Sequence, residues 1–228
     1  MKIAAFDTSS KALTLAILED ETLLAQMTLN IKKNHSITLM PAIDFLMNSL
    51  DMKPKDLDRI VVAQGPGSYT GLRIAVATAK TLAHTLKIEL VGVSSLLALV
   101  PEQAEGLVIP IVDARRNNVY AGFYRSGQAV RPEAHLPLAE VLEMAGAANQ
   151  PVTFVGETAA FAEQIESALP QAAIQPTLPD AAVIGRLGLD LPAQSIHDFV
   201  PNYLKRVEAE ENWLKTHQES SDSYIRRL

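Results

Sequence analysis

The sequence contains no cysteine, which excludes disulfides, thiolate metal sites and thiol nucleophiles together. Its five histidines, His35, His84, His135, His197 and His217, are scattered. No two of them stand at the i, i+3 or i+4 spacing that a helical metal site uses. No apolar run approaches the roughly 20 residues that span a bilayer. The amino terminus meets Asp7 too early for a secretory leader. A cytoplasmic protein without a membrane contact is the expectation. Basic residues are in deficit, with 20 Lys and Arg against 26 Asp and Glu and a net charge of −6. They cluster only as short pairs: Lys32-Lys33, Arg115-Arg116, Lys205-Arg206 and Arg226-Arg227. A protein that grips nucleic acid alone usually shows a basic face, because phosphate neutralisation supplies most of the affinity. Independent RNA binding is therefore disfavoured, while one local patch stays open.

What the chain does have is core. Of 228 residues 48% are hydrophobic and 20% charged, enough for one large domain or two lobes of about 100 residues each. The apolar run Ile3–Phe6 ends in the turn cluster Asp7-Thr8-Ser9-Ser10, and strands resume over Ala12–Leu18 and Thr22–Leu29. Ser36 is placed to cap a helix whose face is Leu39, Met40, Ile43, Leu46, Met47 and Leu50. Arg59–Ala63 reads as a buried strand, Leu72–Leu86 as a helix and Leu90–Val93 as a further strand. The second half repeats the opening: Leu107–Val112 ends at Asp113, and Val119–Tyr124 is the return strand of a second hairpin. A helix around Leu138–Ala145, a strand at Val152–Val155 and a helix at Thr158–Leu169 follow. Pro170–Pro179 reads as a local connection. Two lobes of βββαβα order, each opening with an Asp at its first hairpin, point to an α/β actin-like (ribonuclease H-like, ASKHA) fold. The expected boundaries are 1–102 and 103–206, with a polar tail over 207–228.

Between the strand and helix of the first lobe lies "GPGSYTG". A P-loop needs Lys and a hydroxyl residue directly after its last glycine, but Leu72 and Arg73 follow Gly71. Gly65, Gly67 and Gly71 also miss the dinucleotide spacing by one residue. What remains is a helix start that favours anions, or a sharp turn with Ser68 or Thr70 as cap. Asp7, Thr8 and Ser9 could orient metal-bound water and phosphates as in an actin-like ATPase, or form a self-contained Asx turn. Asp113 opens the second hairpin, yet Ala114, Arg115, Arg116 and Asn117 are bulkier than a phosphate loop allows. Arg115 and Arg116 could hold an anion or RNA, or fill the cleft themselves. Ser68 is not in a nucleophile elbow, since Pro66 stands where that motif needs glycine. An independent ATPase or small-molecule kinase is the rival reading.

"FDTSS", "GPGSYTGLRIAVATAKTLA", "GVSSL", "VDARRNNVYAGFY" and "PNYLKR" occur in order over residues 1–206. Together they resemble the TsaB (YeaZ) family, the actin-like, non-catalytic partner of the tRNA threonylcarbamoyl transferase TsaD. The resemblance implies a role in threonylcarbamoylation of adenosine 37 in tRNAs that read ANN codons. It also implies a TsaD-like partner, a TsaE-like ATPase, and a homodimer when alone. tRNA would be contacted through the complex, and ATP used by partner proteins rather than held by this chain. The catalytic relative carries G-V-N-H-x-x-x-H after the same turn and helix, and its two histidines bind the metal. Ser95 and Leu99 stand in their place, and neither can replace an imidazole as a metal ligand. The expectation is no catalytic residue, no metal and no confident cofactor site, with Asp7, Thr8, Ser9, Gly65, Gly67 and Asp113 as remnants of a phosphate cleft. The family's partner helices match two here, so Leu39, Met40, Ile43, Met47, Leu72, Ala75, Ala79 and Ala83 are expected at the interface.

Overall fold

The computed structural model describes residues 1–31, 34–101 and 104–205. The tail beyond 206 and the expected boundary at 102 and 103 lie outside the described residues. The first repeat runs β1 (Lys2–Asp7), β2 (Leu13–Glu19), β3 (Thr22–Leu29), α1 (His35–Ser49), β4 (Arg59–Gly65), α2 (Tyr69–Leu86) and β5 (Glu89–Ser94). The second runs β6 (Leu107–Asp113), β7 (Asn118–Arg125), β8 (Gln128–Pro137), α3 (Leu138–Gly146), β9 (Val152–Gly156), α4 (Ala162–Ala168) and β10 (Ala173–Pro176). Helix α5 (Ala181–Leu187) follows.

Each repeat builds a five-stranded mixed sheet. The orders are β3-β2-β1-β4-β5 and β8-β7-β6-β9-β10, so the second sheet repeats the topology of the first. In both, an antiparallel meander precedes two parallel strands reached through helical crossovers. Parallel strands covered on both faces are apolar without alternation, which is why β1 and β4 read as continuous runs. Ala4, Phe6, Ile60 and Val62 face α1 and α2. Ile3, Ala5, Val61 and Ala63 point to the opposite face.

That opposite face receives part of the region expected as the second lobe. Ala181, Ala182 and Ile184 of α5 cover it, so the chain after β10 returns to the first sheet instead of completing the second lobe. Arg59 is buried and fixes the return, donating to the carbonyls of Gly188 (2.6 Å), Leu189 (2.7 Å) and Leu191 (3.1 Å) while pairing with Glu89. Asn202 then donates its amide to the Gln64 carbonyl at 2.7 Å, beside the end of β4. Pro170–Pro179, expected as a connection, contains edge strand β10. Asn34 caps α1 rather than Ser36, because its side chain accepts the Ser36 amide at 3.1 Å. Ser68 caps α2, accepting from the Gly71 amide at 3.3 Å.

Candidate functional site

The two Asp hairpins and the glycine turn meet at a cleft between the sheets. Its inner part, about 440 Å³, has Ala12, Ser95, Leu99, Val112 and Gly156 in its walls. Its mouth, about 340 Å³, is lined by Ser9, Lys11, Ser68, Tyr69, Arg115 and Lys205. The sequence-derived cleft residues are thus brought together, but their polar groups are engaged within the fold.

Asp7 is fully buried. One carboxylate oxygen accepts the Ser9 amide, and the other accepts the Ser9 hydroxyl at 3.0 Å. Thr8 donates its hydroxyl to the Gly71 carbonyl at 2.7 Å, and the Ser68 amide donates to the Ser9 carbonyl at 2.7 Å. The glycines follow from this clasp. A Cβ on Gly71 would lie 1.9 Å from the Thr8 carbonyl oxygen, and one on Gly67 would lie 2.6 Å from that of Ser9. The hairpin backbone therefore packs directly against both glycines, and each must lack a side chain for it to do so.

Burial raises the Asp7 carboxyl from 3.8 to about 6, against the opposing effect of hydrogen bonds from Ser9 and Thr8. The folded chain therefore holds this proton more tightly than the unfolded one. The contribution is complete below pH 3.8 and is lost as pH rises through about 6. A shift of this size corresponds to about 3 kcal/mol. Asp7→Asn keeps an acceptor for the Ser9 amide and removes the buried charge. Urea melts should show this variant more stable than the parent at neutral pH by about 1–3 kcal/mol, with a flatter profile between about pH 4 and 6.

The second hairpin is likewise self-contained. Asp113 accepts the Arg115 amide at 2.7 Å and pairs with the Arg115 guanidinium at 3.2 Å. Arg115, Arg116 and Asn117 all take left-handed backbone, at φ of 71°, 54° and 57°. The Asn118 side chain holds that turn by donating to the Arg115 and Arg116 carbonyls. Ser95 ties β5 to β4, its hydroxyl accepting the Gly65 amide at 3.1 Å and its amide donating to the Gly65 carbonyl at 2.9 Å. Leu99 is buried against Val108, Val112 and Val155. Across the same junction, Ser94 and Tyr124 both donate to Glu133. Burial first, then Glu133, drives the Tyr124 hydroxyl well above its ordinary range.

The expected partner surface needs correction. Leu39, Ile43, Met47, Leu72, Ala75, Ala79 and Ala83 are all buried beneath the first sheet's helices, and only Met40 of that set is exposed. The small-residue stripe of α2 faces the sheet, where close helix approach requires small side chains. The exposed apolar row on α1 is instead Ile37 (68% exposed), Met40 (46%) and Phe45 (58%), with Pro41 beside them. Sequence reasoning passed over Ile37 and Phe45, although both are large apolar residues out of phase with the buried face. It also passed over an aromatic group at the cleft mouth. Tyr69 and Tyr203 stack with ring centres 5.0 Å apart. Arg73 donates to the Tyr69 hydroxyl at 2.8 Å. The quoted stretches "SYTGLR" and "PNYLKR" both held the signal, a tyrosine close to basic residues.

Residues 22–213 match the family described as TsaD: tRNA N6-adenosine threonylcarbamoyltransferase. The tRNA threonylcarbamoyladenosine biosynthesis protein TsaB of Bacillus subtilis is 42% identical over 227 residues, covering 95% of this chain and 99% of that protein. An uncharacterised Mycobacterium tuberculosis protein is 31% identical over 216 residues, covering 91% and 93%. Among solved structures, YeaZ from Pseudomonas aeruginosa is 28% identical with a TM-score of 0.68, covering 80% of this chain and 88% of its own. A second Pseudomonas aeruginosa structure, described as similar to the peptidase YEAZ, reaches a TM-score of 0.77 at 27% identity and covers 90% and 99%. Repeated sheet order, paired hairpins and full-length likeness converge: the chain belongs to the TsaB (YeaZ) family and has its two-lobed actin-like α/β fold.

Proposed function

We propose that this chain is the accessory, non-catalytic subunit in tRNA threonylcarbamoyladenosine biosynthesis, acting in the cytoplasm as a scaffold for a TsaD-like catalytic subunit. The observation that carries the reading is the pair Ser95 and Leu99. Where the catalytic relatives place metal-binding histidines, this chain has a hydroxyl spent on the Gly65 amide and a side chain spent on the core. The clasp of Thr8 and Ser9 over Gly67 and Gly71 supports it, because the phosphate-loop remnants hold α2 in place. A TsaE-like ATPase supplies nucleotide chemistry to the assembly, and the chain alone pairs with a second copy. tRNA is engaged mainly through the complex. No described helix is long and apolar enough to cross a membrane.

The test is reconstitution of tRNA modification from threonylcarbamoyl donor, TsaD-like and TsaE-like subunits, with and without this chain. Product is expected only in its presence. Equal product without it would sink the proposal. Calorimetric titration of Mg-ATP into the isolated chain addresses the rival: micromolar binding that disappears in Asp7→Ala would favour an ATPase or kinase.

A further inference from the structure

The stacked tyrosines at the cleft mouth have no part in the core. Tyr69 begins α2 and is 45% exposed, while Tyr203 lies after the return segment and is 42% exposed. Tyr69 has Tyr203 on one side and the Arg73 guanidinium 5.4 Å from its ring centre. Tyr203 has Tyr69 as its ring partner, at an interplanar angle of 28°, so the stack ends on an exposed ring. Its hydroxyl is raised above the ordinary value by burial and by Tyr69, with Arg73 opposing. Basic side chains lie on the Tyr69 side of this group. Lys11, Arg115 and Lys205 line the adjoining mouth and Arg73 adjoins Tyr69, against the carboxylates Asp113 and Glu157. Arg115 is paired with Asp113, which leaves Lys11, Lys205 and Arg73 against Glu157, in a chain whose net charge is −6.

Stacked aromatic rings flanked by cations match the chemistry of unpaired nucleotides, whose bases offer a π-face and whose phosphates offer charge. A duplex hides those faces, so the match is to single strands. We propose that Tyr203, Tyr69, Arg73 and Lys205 form a docking face for a single-stranded RNA segment. An unstacked base lies on Tyr203, and Lys205 and Arg73 take the adjacent phosphates. This deepens the proposed function, and the choice of RNA as the strand rests on that reading. It also accounts for an acidic protein acting in an RNA pathway, since the basic patch is local.

The test is fluorescence anisotropy of the full chain with a labelled RNA stem-loop, a fully paired RNA of the same length, and AMP as competitor. The stem-loop should bind in preference to the paired RNA. Tyr203→Ala should weaken stem-loop binding about tenfold or more, and Tyr203→Phe should retain it. Lys205→Gln should reduce the slope of log affinity against log salt by about 0.7. Thermal midpoints and capture by the TsaD-like subunit are measured on the same variants. Unchanged stem-loop affinity in Tyr203→Ala would overturn the proposal, as would equal binding of paired RNA. Displacement by AMP at equal concentration would assign the site to a free nucleotide instead. Loss of subunit capture with RNA affinity intact would make the face a protein contact. Reconstitution that proceeds without the chain would refute the accessory role while leaving the RNA affinity measurable, so the two failures are separable.

Discussion

Gly71→Ala is expected to destabilise the first lobe by about 3 kcal/mol or more, among the largest effects of any single-methyl addition in this chain. The added Cβ would stand 1.9 Å from the Thr8 carbonyl oxygen, which is backbone and cannot rotate away. Relief requires parting α2 from the Asp7 hairpin. That breaks the Thr8 hydroxyl bond to the Gly71 carbonyl and strains the Ser68 amide bond to the Ser9 carbonyl. Thermal denaturation should show a midpoint lowered by about 10 °C, from the usual shift of 2–4 °C per kcal/mol at this size. Gly127 gives the comparison. Its φ of 72° is strained for alanine, but nothing lies within 4 Å of the added carbon. Gly127→Ala should therefore cost only about 1–2 kcal/mol, the backbone penalty alone. Equal losses in the two variants would show that the hairpin clasp does not anchor the helix.

Phe45→Glu is expected to weaken the proposed complex with the TsaD-like subunit at least about a hundredfold while leaving the fold intact. Large aromatic anchors at interface centres carry costs of about 2–4 kcal/mol when lost, and a charge left unpaired there adds to it. Phe45 shares the exposed face of α1 with Ile37 and Met40, so the substitution meets water in the free chain. Ala79→Glu must behave differently. Ala79 is fully buried against the first sheet, so a carboxylate there has to be desolvated or to force α2 outward. It should unfold the lobe, and any loss of binding in that variant would report on folding. Circular dichroism and calorimetric titration with the TsaD-like subunit separate the cases. Native binding by folded Phe45→Glu would move the interface off α1.

The order of elements in the first repeat was legible because local patterns carry it. The strands β1, β2 and β4 are apolar runs ended by turn residues, and α1 and α2 show three- and four-residue spacing. The second hairpin repeats the first closely enough for Asp113 to be found from Asp7. Ser95 and Leu99 were legible too, since they need only a motif and a position. By contrast, sequence periodicity marked the buried face of α1 except for Met40, but it could not tell a row that meets the sheet from one that meets a partner, because both its buried row and its exposed row are apolar. Ile37, Met40 and Phe45 differ from Leu39, Ile43 and Met47 only in which side meets the sheet.

The destination of α5 was hidden for the same reason. Its face of Ala181, Ala182 and Ile184 would suit either lobe, and Arg59, far away in the chain, directs the return by collecting three carbonyls. Glycine spacing excluded two phosphate motifs, yet it could not show what fills the turn, which is the backbone of Thr8 and Ser9. Tyr69 and Tyr203 likewise become one group only when the return segment reaches α2. Strand and helix order follow from side-chain periodicity within a few residues, whereas burial, clasp and stack depend on which distant surfaces exclude water from each other.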